Sequence, residues 1–286
     1  MKQPADSGPT GSRGDTRYLL GHTDNELRRL DIQGDLYRDI TRRAFLEGGV
    51  EPGMRVLEIG CGTGDVSLTA ASLVGSCGSL LGIDRGPAAI EAARKKIEAR
   101  GLENVEFEVS EIEEFHRPGS FDALIGRFIL MHQPDAARAL RSIARSLRPG
   151  GVVVMIESHM ELLTTGGHSE PLSPLYDEIV RWKSAVVGGA GADLRAGARL
   201  RSTFVRAGLP APETRLETRL EGGADSPYYE YVAQSVRSML PEAKRLGLGG
   251  YTEADVEGLA ERLRSEVAGT GGSLIVWPVV VAHTRI

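Results

Sequence analysis

The run Arg55-Val56-Leu57-Glu58-Ile59, broken at once by Gly60-Cys61-Gly62-Thr63-Gly64-Asp65, constrains this chain more than any other stretch. Its apolar residues read as a buried parallel strand, bounded by turn residues. Three glycines within five positions let the turn take positive φ and bring its backbone against a ligand. A helix-compatible stretch from Val66 to Val74 follows, so strand, glycine turn and helix form the first half of a βαβ unit. About twenty residues on, Asp84 ends a second apolar run, Leu80-Leu81-Gly82-Ile83, where an acid meets ribose hydroxyls.

The spacing is G-x-G-x-G, and Asp65 stands where a dinucleotide fingerprint has its third glycine. A carboxylate there disfavours pyrophosphate. Glu58 adds a second anion beside the turn, which suits a ligand with cationic groups and no phosphate, such as a sulfonium amino acid joined to adenosine. Val56 to Asp65, followed by Gly82-Ile83-Asp84, resembles the first two motifs of class I S-adenosylmethionine-dependent methyltransferases. Ser110-Glu111, Phe121-Asp122-Ala123-Leu124 and Leu147-Arg148-Pro149-Gly150-Gly151 match later landmarks, so the resemblance covers residues 50–160.

The resemblance implies an α/β fold: a Rossmann-like doubly wound sheet of about seven strands, mostly parallel with the last antiparallel, plus an N-terminal helix and an inserted helical lid. It implies S-adenosyl-L-methionine as cofactor and S-adenosyl-L-homocysteine as product. Glu58 and the backbone around Gly60, Gly62 and Gly64 would then hold the amino-acid part, and Asp84 the ribose. Arg85 would flank the adenine, Glu111 would meet its amino group, and the Ile112 N–H a ring nitrogen. Arg127 and His132, after the fourth strand, would lie beside the reacting end. His132 is a candidate base, and Tyr18 and His22 from the leading segment are further catalytic candidates, with Glu157 and His159 as other groups near the mouth. No metal is expected, because Arg127 stands where a metal-dependent relative would need an acid.

The chain has 286 residues, 41% of them hydrophobic, enough for one large α/β domain. A net charge of −5 argues against a nucleic-acid partner, since phosphate neutralisation needs clustered lysine and arginine. The expected partner is a small-molecule acceptor. Two cysteines, Cys61 and Cys77, make no disulfide framework, which suits a reducing cytoplasm. No apolar run approaches about 18 residues, so no membrane span is expected. The oligomeric expectation is a monomer or homodimer. The basic run Arg94-Lys95-Lys96 reads as a solvated helix face.

Residues 1–16 read as a disordered tail, 17–50 as an N-terminal helical cap, and 51–286 as the catalytic domain with lid insertions near 160–192 and 223–270. Helical spacing runs from Asp24 to Gly48, with a break near Gly34. Strands are expected at Arg55–Gly60, Ser79–Asp84, Val105–Val109, Phe121–Gly126, Gly151–Glu157, Glu213–Leu220 and Ser273–His283. Further helices are expected at Leu175–Val187, Pro227–Leu246 and Thr252–Val267. They carry Tyr176, Trp182, Tyr228, Tyr229 and Tyr231, which either line an acceptor site or fasten the lid; His168 reads as a surface residue. The leading expectation is methyl transfer to an O, N or C nucleophile of a small, specialised metabolite. The alternatives are a cofactor-dependent cyclisation or rearrangement, and non-catalytic ligand binding.

Overall fold

The computed structural model describes residues 24–286. A long helix α1 (Asp24–Glu47) leads into an alternation of β1 (Arg55–Ile59), α2 (Asp65–Val74), β2 (Ser79–Asp84), α3 (Pro87–Glu98), β3 (Val105–Val109), β4 (Phe121–Arg127), α4 (Ala136–Ala144) and β5 (Leu147–Ser158). After β5 come β6 (Ser169–Glu170), α5 (Pro174–Gly189), α6 (Ala196–Ala207), β7 (Glu213–Glu217) and β8 (Leu220–Gly222). The chain ends with α7 (Tyr228–Arg245), α8 (Glu253–Val256), α9 (Leu259–Ala268), β9 (Ser273–Ile275) and β10 (Val279–Arg285).

The seven-stranded sheet runs β3-β2-β1-β4-β5-β10-β7. β1 to β5 are parallel, as the strand–helix alternation predicts, and β10 is antiparallel to both β5 and β7, as the resemblance implies for the last strand. Both faces of the central strands are buried, which explains their near-continuous apolar runs. Val56, Leu80, Ala123 and Val154 pack with residues of α1, α2 and α3. Their neighbours Leu57, Leu81, Leu124 and Val153 pack on the other face with residues of α4 and α6. Each such valine or leucine side chain contributes about 1.5–3 kcal/mol by leaving water, and Ala123 about 0.8 kcal/mol. Strand order reverses between β1 and β4, and a crevice opens there beyond the carboxyl ends, where ligands enter such sheets.

Several sequence expectations are corrected. α1 runs unbroken through Gly34. A Cβ at Gly34 would lie 3.0 Å from Asp65 Cγ, so the glycine permits close packing of α1 on the start of α2. That packing outweighs a propensity penalty of about 1 kcal/mol. The expected Ser273–His283 strand divides at Trp277-Pro278, because proline has no N–H for the ladder. Its first part, β9, pairs with β6 and β8 in a separate three-stranded sheet. Glu213–Leu220 likewise divides into β7 and the start of β8, and Thr252–Val267 into α8 and α9. Of the basic run on α3, Lys96 is not simply solvated: Nζ bonds Asp31 at 2.7 Å and Asp65 at 2.9 Å, tying α3 to α1 and α2. Arg94 donates to the Phe107 carbonyl. The expected tail, residues 1–16, lies outside the described residues.

Candidate active site

The glycine turn is held by its own chain and by Asp84. Gly60 has φ 64°, and a Cβ there would fall 2.6 Å from Ile129 Cδ1, so both backbone and space require glycine. Gly62 has φ 52°, and no heavy atom lies within 4 Å of where its Cβ would be. That face of the turn is open. Asp84 Oδ2 accepts from the Gly62 N–H at 3.0 Å and Oδ1 from the Gly86 N–H at 2.8 Å. The carboxylate thus braces the turn, and its remaining lone pairs can accept from hydroxyls.

A cavity of about 370 Å³ begins here. Of the residues singled out in the sequence, Gly60, Gly62, Asp84, Arg85, Glu111, Ile112, Arg127 and His132 line it together. Glu58 and Gly64 do not. Glu58 is 1% exposed beneath the turn, where its carboxylate oxygen accepts from Ser67 Oγ at 2.5 Å. Burial pushes its pKa up to about 8, so the expected anion is a protonated carboxyl at neutral pH. Gly64 opens α2, and a Cβ there would touch Ala93 and Phe107 rather than the cavity. Cys61 is buried, and burial pushes its thiol up, which fits packing rather than reactivity.

Beyond β4 the chain turns sharply. Phe128 has φ 58°, uncommon for a bulky residue, and its ring meets Tyr37 edge-on with centroids 5.3 Å apart. Arg127 Nη1 donates to Thr41 Oγ1 of α1 at 2.9 Å. Glu157, at the end of β5, is fully buried and accepts the N–H groups of Ile129, Leu130 and Met131 at 3.0, 2.7 and 3.3 Å. It is an anchor for this turn, not the group at the mouth that the sequence suggested, although burial raises its pKa to about 7. His132 follows in the short 3-10 turn Leu130–His132. Burial, with the nearby Arg85 charge, pushes its pKa down to about 4, leaving a neutral imidazole that is a weak base at pH 7. His159 is not a lining residue, and its N–H bonds the Pro278 carbonyl. Tyr18 and His22 lie outside the described residues.

The opposite wall comes from helices and a linker. α1 supplies Arg29, Gln33 and Tyr37; α5 supplies Lys183 and Val187; α7 supplies Tyr231, Ser235 and Met239; the β9–β10 linker supplies Trp277. Gln33 Nε2 donates to the Tyr231 hydroxyl at 3.2 Å, and the Tyr37 hydroxyl donates to the Trp277 carbonyl at 2.9 Å. Of the five aromatic residues picked out in the lid, only Tyr231 lines the cavity. Tyr176 and Tyr228 are linked through their hydroxyls at 2.6 Å, and Trp182 Nε1 donates to the Gly249 carbonyl at 2.6 Å, so these fasten the helical layer. His168 is buried against Asp177, not on the surface.

Lys183 was missed by sequence reasoning, yet a signal existed. It falls on the apolar stripe of α5 formed by Ile179, Val180, Val186 and Val187, where a cation is out of place. Trp277 was absorbed into an expected strand. Gln33 carried no signal of its own.

These residues fit S-adenosylmethionine. The open backbone face at Gly62 admits close approach, Asp84 offers lone pairs for ribose hydroxyls, and Glu111 and Ile112 stand further along the wall. Asp65, which binds Thr63 and Lys96, occupies the first residue of α2, where a phosphate would otherwise sit. Among the described residues, no group of three or more His, Cys, Asp or Glu side chains is placed to hold a metal.

A family model described as a methyltransferase domain matches residues 50–199. The ubiquinone/menaquinone biosynthesis C-methyltransferase UbiE of Vibrio cholerae is 32% identical over 51% of this chain and 55% of its own length. The aklanonic acid methyltransferase DauC of a Streptomyces species is 44% identical over 35% of this chain and 46% of its own length. The chain thus spans about half the length of the curated relatives it matches. Among solved structures, phosphoethanolamine N-methyltransferase 2 of Haemonchus contortus, with phosphomonomethylethanolamine and S-adenosylhomocysteine, shares the fold at TM-score 0.55 and 18% identity. That likeness covers 96% of this chain and 61% of the other.

Proposed function

This chain belongs to the methyltransferase-domain family, and on that premise we propose that it transfers a methyl group from S-adenosylmethionine to an O, N or C nucleophile of a small molecule. The observation that carries the reading is the Gly62–Asp84 contact at the sheet's switch point, open to a cavity whose far wall is helical. When bound, the cofactor supplies a methyl on a sulfonium carbon, which already has a good leaving group. The protein's share is therefore mainly alignment and exclusion of water, and alignment can contribute about 7–11 kcal/mol.

In this reading the turn backbone at Gly60 and Gly62 holds the amino-acid part, Asp84 accepts from the ribose, and Glu111 and Ile112 hold the adenine. Arg85 flanks the base. Arg127, fixed by Thr41, and Phe128, set against Tyr37, form the floor beside the reacting end. Residues 160–192 and 223–270 act as the lid. We further propose that the acceptor is a specialised metabolite, a reading supported by similarity to an enzyme named for aklanonic acid. A reducing cytoplasm is the proposed setting, supported by two free cysteines, one of them exposed.

Calorimetric titration with S-adenosylmethionine, S-adenosylhomocysteine and NAD tests the reading. Selective binding of the two sulfur ligands is expected, followed by a methyl mass gain when acceptors are screened. Binding of NAD alone, or of none of the three, overturns it.

A further inference from the structure

Lys183 is the buried charge that the cofactor side of the site leaves unexplained. It is 3% exposed, and its Nζ lies 4.7 Å from the centre of the Trp277 ring and 5.3 Å from that of Tyr231. No carboxylate pairs with it among the described residues. The acids lining the cavity, Asp65, Asp84 and Glu111, belong to the sheet side, whereas the charged group that faces Lys183 from α1 is Arg29. A methionine would pack at this place without the desolvation penalty of an ammonium group.

Trp277 gives a second, independent observation. Its side chain is buried beside the same cavity, and its indole Nε1–H has no acceptor among the described residues. Buried donors of this kind ordinarily have partners. Two donors of different chemistry therefore line one wall, next to two flat rings, and what both lack among the described residues is an oxygen acceptor.

We propose that Lys183 and Trp277 form the oxygen-binding pole of the acceptor site, which takes a flat molecule bearing an acidic enol or phenol oxygen. The proposal rests on the methyl-transfer reading and deepens it. The acceptor's O–H bond breaks, its electron pair stays on oxygen, and the proton passes to the neutral Lys183 amine, which becomes an ammonium. Lys183 Nζ and Trp277 Nε1–H then donate to the oxyanion, and the nucleophile is the oxygen itself or the carbon conjugated with it. Burial supports this role by pushing the Lys183 pKa down to about 7, so that both forms are populated at neutral pH. The Tyr231 and Trp277 rings stabilise the ammonium once it forms.

The test uses 4-nitrophenol as a chromophoric probe, in the presence of S-adenosylhomocysteine and at a pH where the free phenol is mostly protonated. The wild-type chain is expected to raise the phenolate absorbance on binding. Lys183→Met is expected to abolish that rise and weaken the probe tenfold or more, the loss of a charge-assisted hydrogen bond, while S-adenosylhomocysteine affinity stays within about twofold. Lys183→Arg, which keeps a cation, should retain the phenolate signal, and Trp277→Phe should weaken the probe severalfold by removing one donor. Failure of the wild-type chain to ionise the probe, or an unchanged signal in Lys183→Met, overturns the acceptor pole. If S-adenosylhomocysteine binds in either case, the methyl-transfer reading survives. If it does not bind to the wild-type chain, both fall.

Discussion

The two walls of the cavity are built from opposite materials. On the glycine-turn side, the cavity is lined by backbone and by residues set at fixed short spacings along successive strand ends, from Gly60 and Gly62 to Asp84 and Glu111. On the helical side, contacts join residues far apart in the chain: Gln33 with Tyr231, 198 residues on, and Tyr37 with Trp277, 240 residues on. In the proposed reading the first wall would serve any acceptor chemistry, because it would hold only the shared cofactor. In the same reading the second wall carries the choice of acceptor, through a buried lysine that folding alone would not favour. Where a charge lacks a reason in the packing, it points to a ligand.

The largest effect should come from Gly60→Ala. Left-handed backbone in an alanine costs about 1–2 kcal/mol, and crowding against Ile129 adds about 1–3 kcal/mol. Denaturant unfolding should show both, and calorimetry should show S-adenosylhomocysteine affinity reduced beyond detection. Gly62→Ala sharpens the test, since its Cβ meets no protein atom. It bears the same left-handed cost of about 1–2 kcal/mol but none of the crowding, so it should lose less stability than Gly60→Ala and still lose affinity by tenfold or more, because the added carbon enters the open face of the turn. Normal affinity in Gly62→Ala would mean that the open face of the turn is not where the ligand lies.

Lys183→Met acts on the other wall and with the opposite sign on stability. In the folded chain the lysine's pKa is pushed down to about 7, against about 10.4 in an unfolded chain. Between those values the unfolded state binds more protons, so this group makes stability fall as pH drops through that window, with its full penalty present below about pH 7. Replacing it with methionine should stabilise the fold by about 1–4 kcal/mol at pH 6 and by little at pH 10. Urea midpoints at the two pH values check this. Equal stability of the two proteins at both would show that Lys183 is already satisfied within the fold.

The same contrast explains what could be read from the sequence. β1, β2, β4, β5 and the glycine turn were legible because burial on both faces forces apolar runs, and because a tight turn with close backbone approach needs glycine at fixed spacing; the edge strand β3 showed instead as the alternation Val105-Glu106-Phe107-Glu108-Val109. The place of Asp84 followed from that spacing, whereas those of Arg85, Glu111 and Ile112 came from the resemblance to class I methyltransferases, and all four line one cavity. Glu58 deceived because the sequence shows a charge but not its burial beneath the turn. His168 deceived for the same reason. The helical wall was illegible in a different way: which of five lid aromatics faces the ligand depends on how α5 and α7 rotate against the sheet, and Trp277 was hidden by a β-favouring run that Pro278 interrupts. Gly34 read as a helix break because the contact that makes it useful, Asp65, lies on another element.

A smaller effect is expected from Glu58→Gln. The buried carboxyl, raised to about 8 from an unfolded value near 4.3, holds a proton that the unfolded chain releases. Its stabilisation is therefore greatest below about pH 4 and is lost as pH rises through about 8. The glutamine amide can still accept from Ser67, so the variant should match wild type at pH 5 and exceed it at pH 9 by about 1–3 kcal/mol. Cofactor affinity at pH 7 should change little. A loss of tenfold or more would return Glu58 to the role of a charged partner for the cofactor's amino group.

The smallest expected effect is that of His132→Gln, and it separates the two walls most sharply. His132 lies on the cofactor wall with its pKa pushed down to about 4, while Lys183 lies opposite at about 7. A base works best with a pKa near the working pH, and a true general base contributes about 100-fold to 10,000-fold. If the proton goes to Lys183, a glutamine in place of His132 keeps a polar group at the turn and should lower kcat less than about fivefold. The pH–rate profile should keep its inflection near 7. Should kcat instead fall by 100-fold and the inflection vanish, proton removal belongs to the cofactor wall, and the division of labour between the walls is wrong.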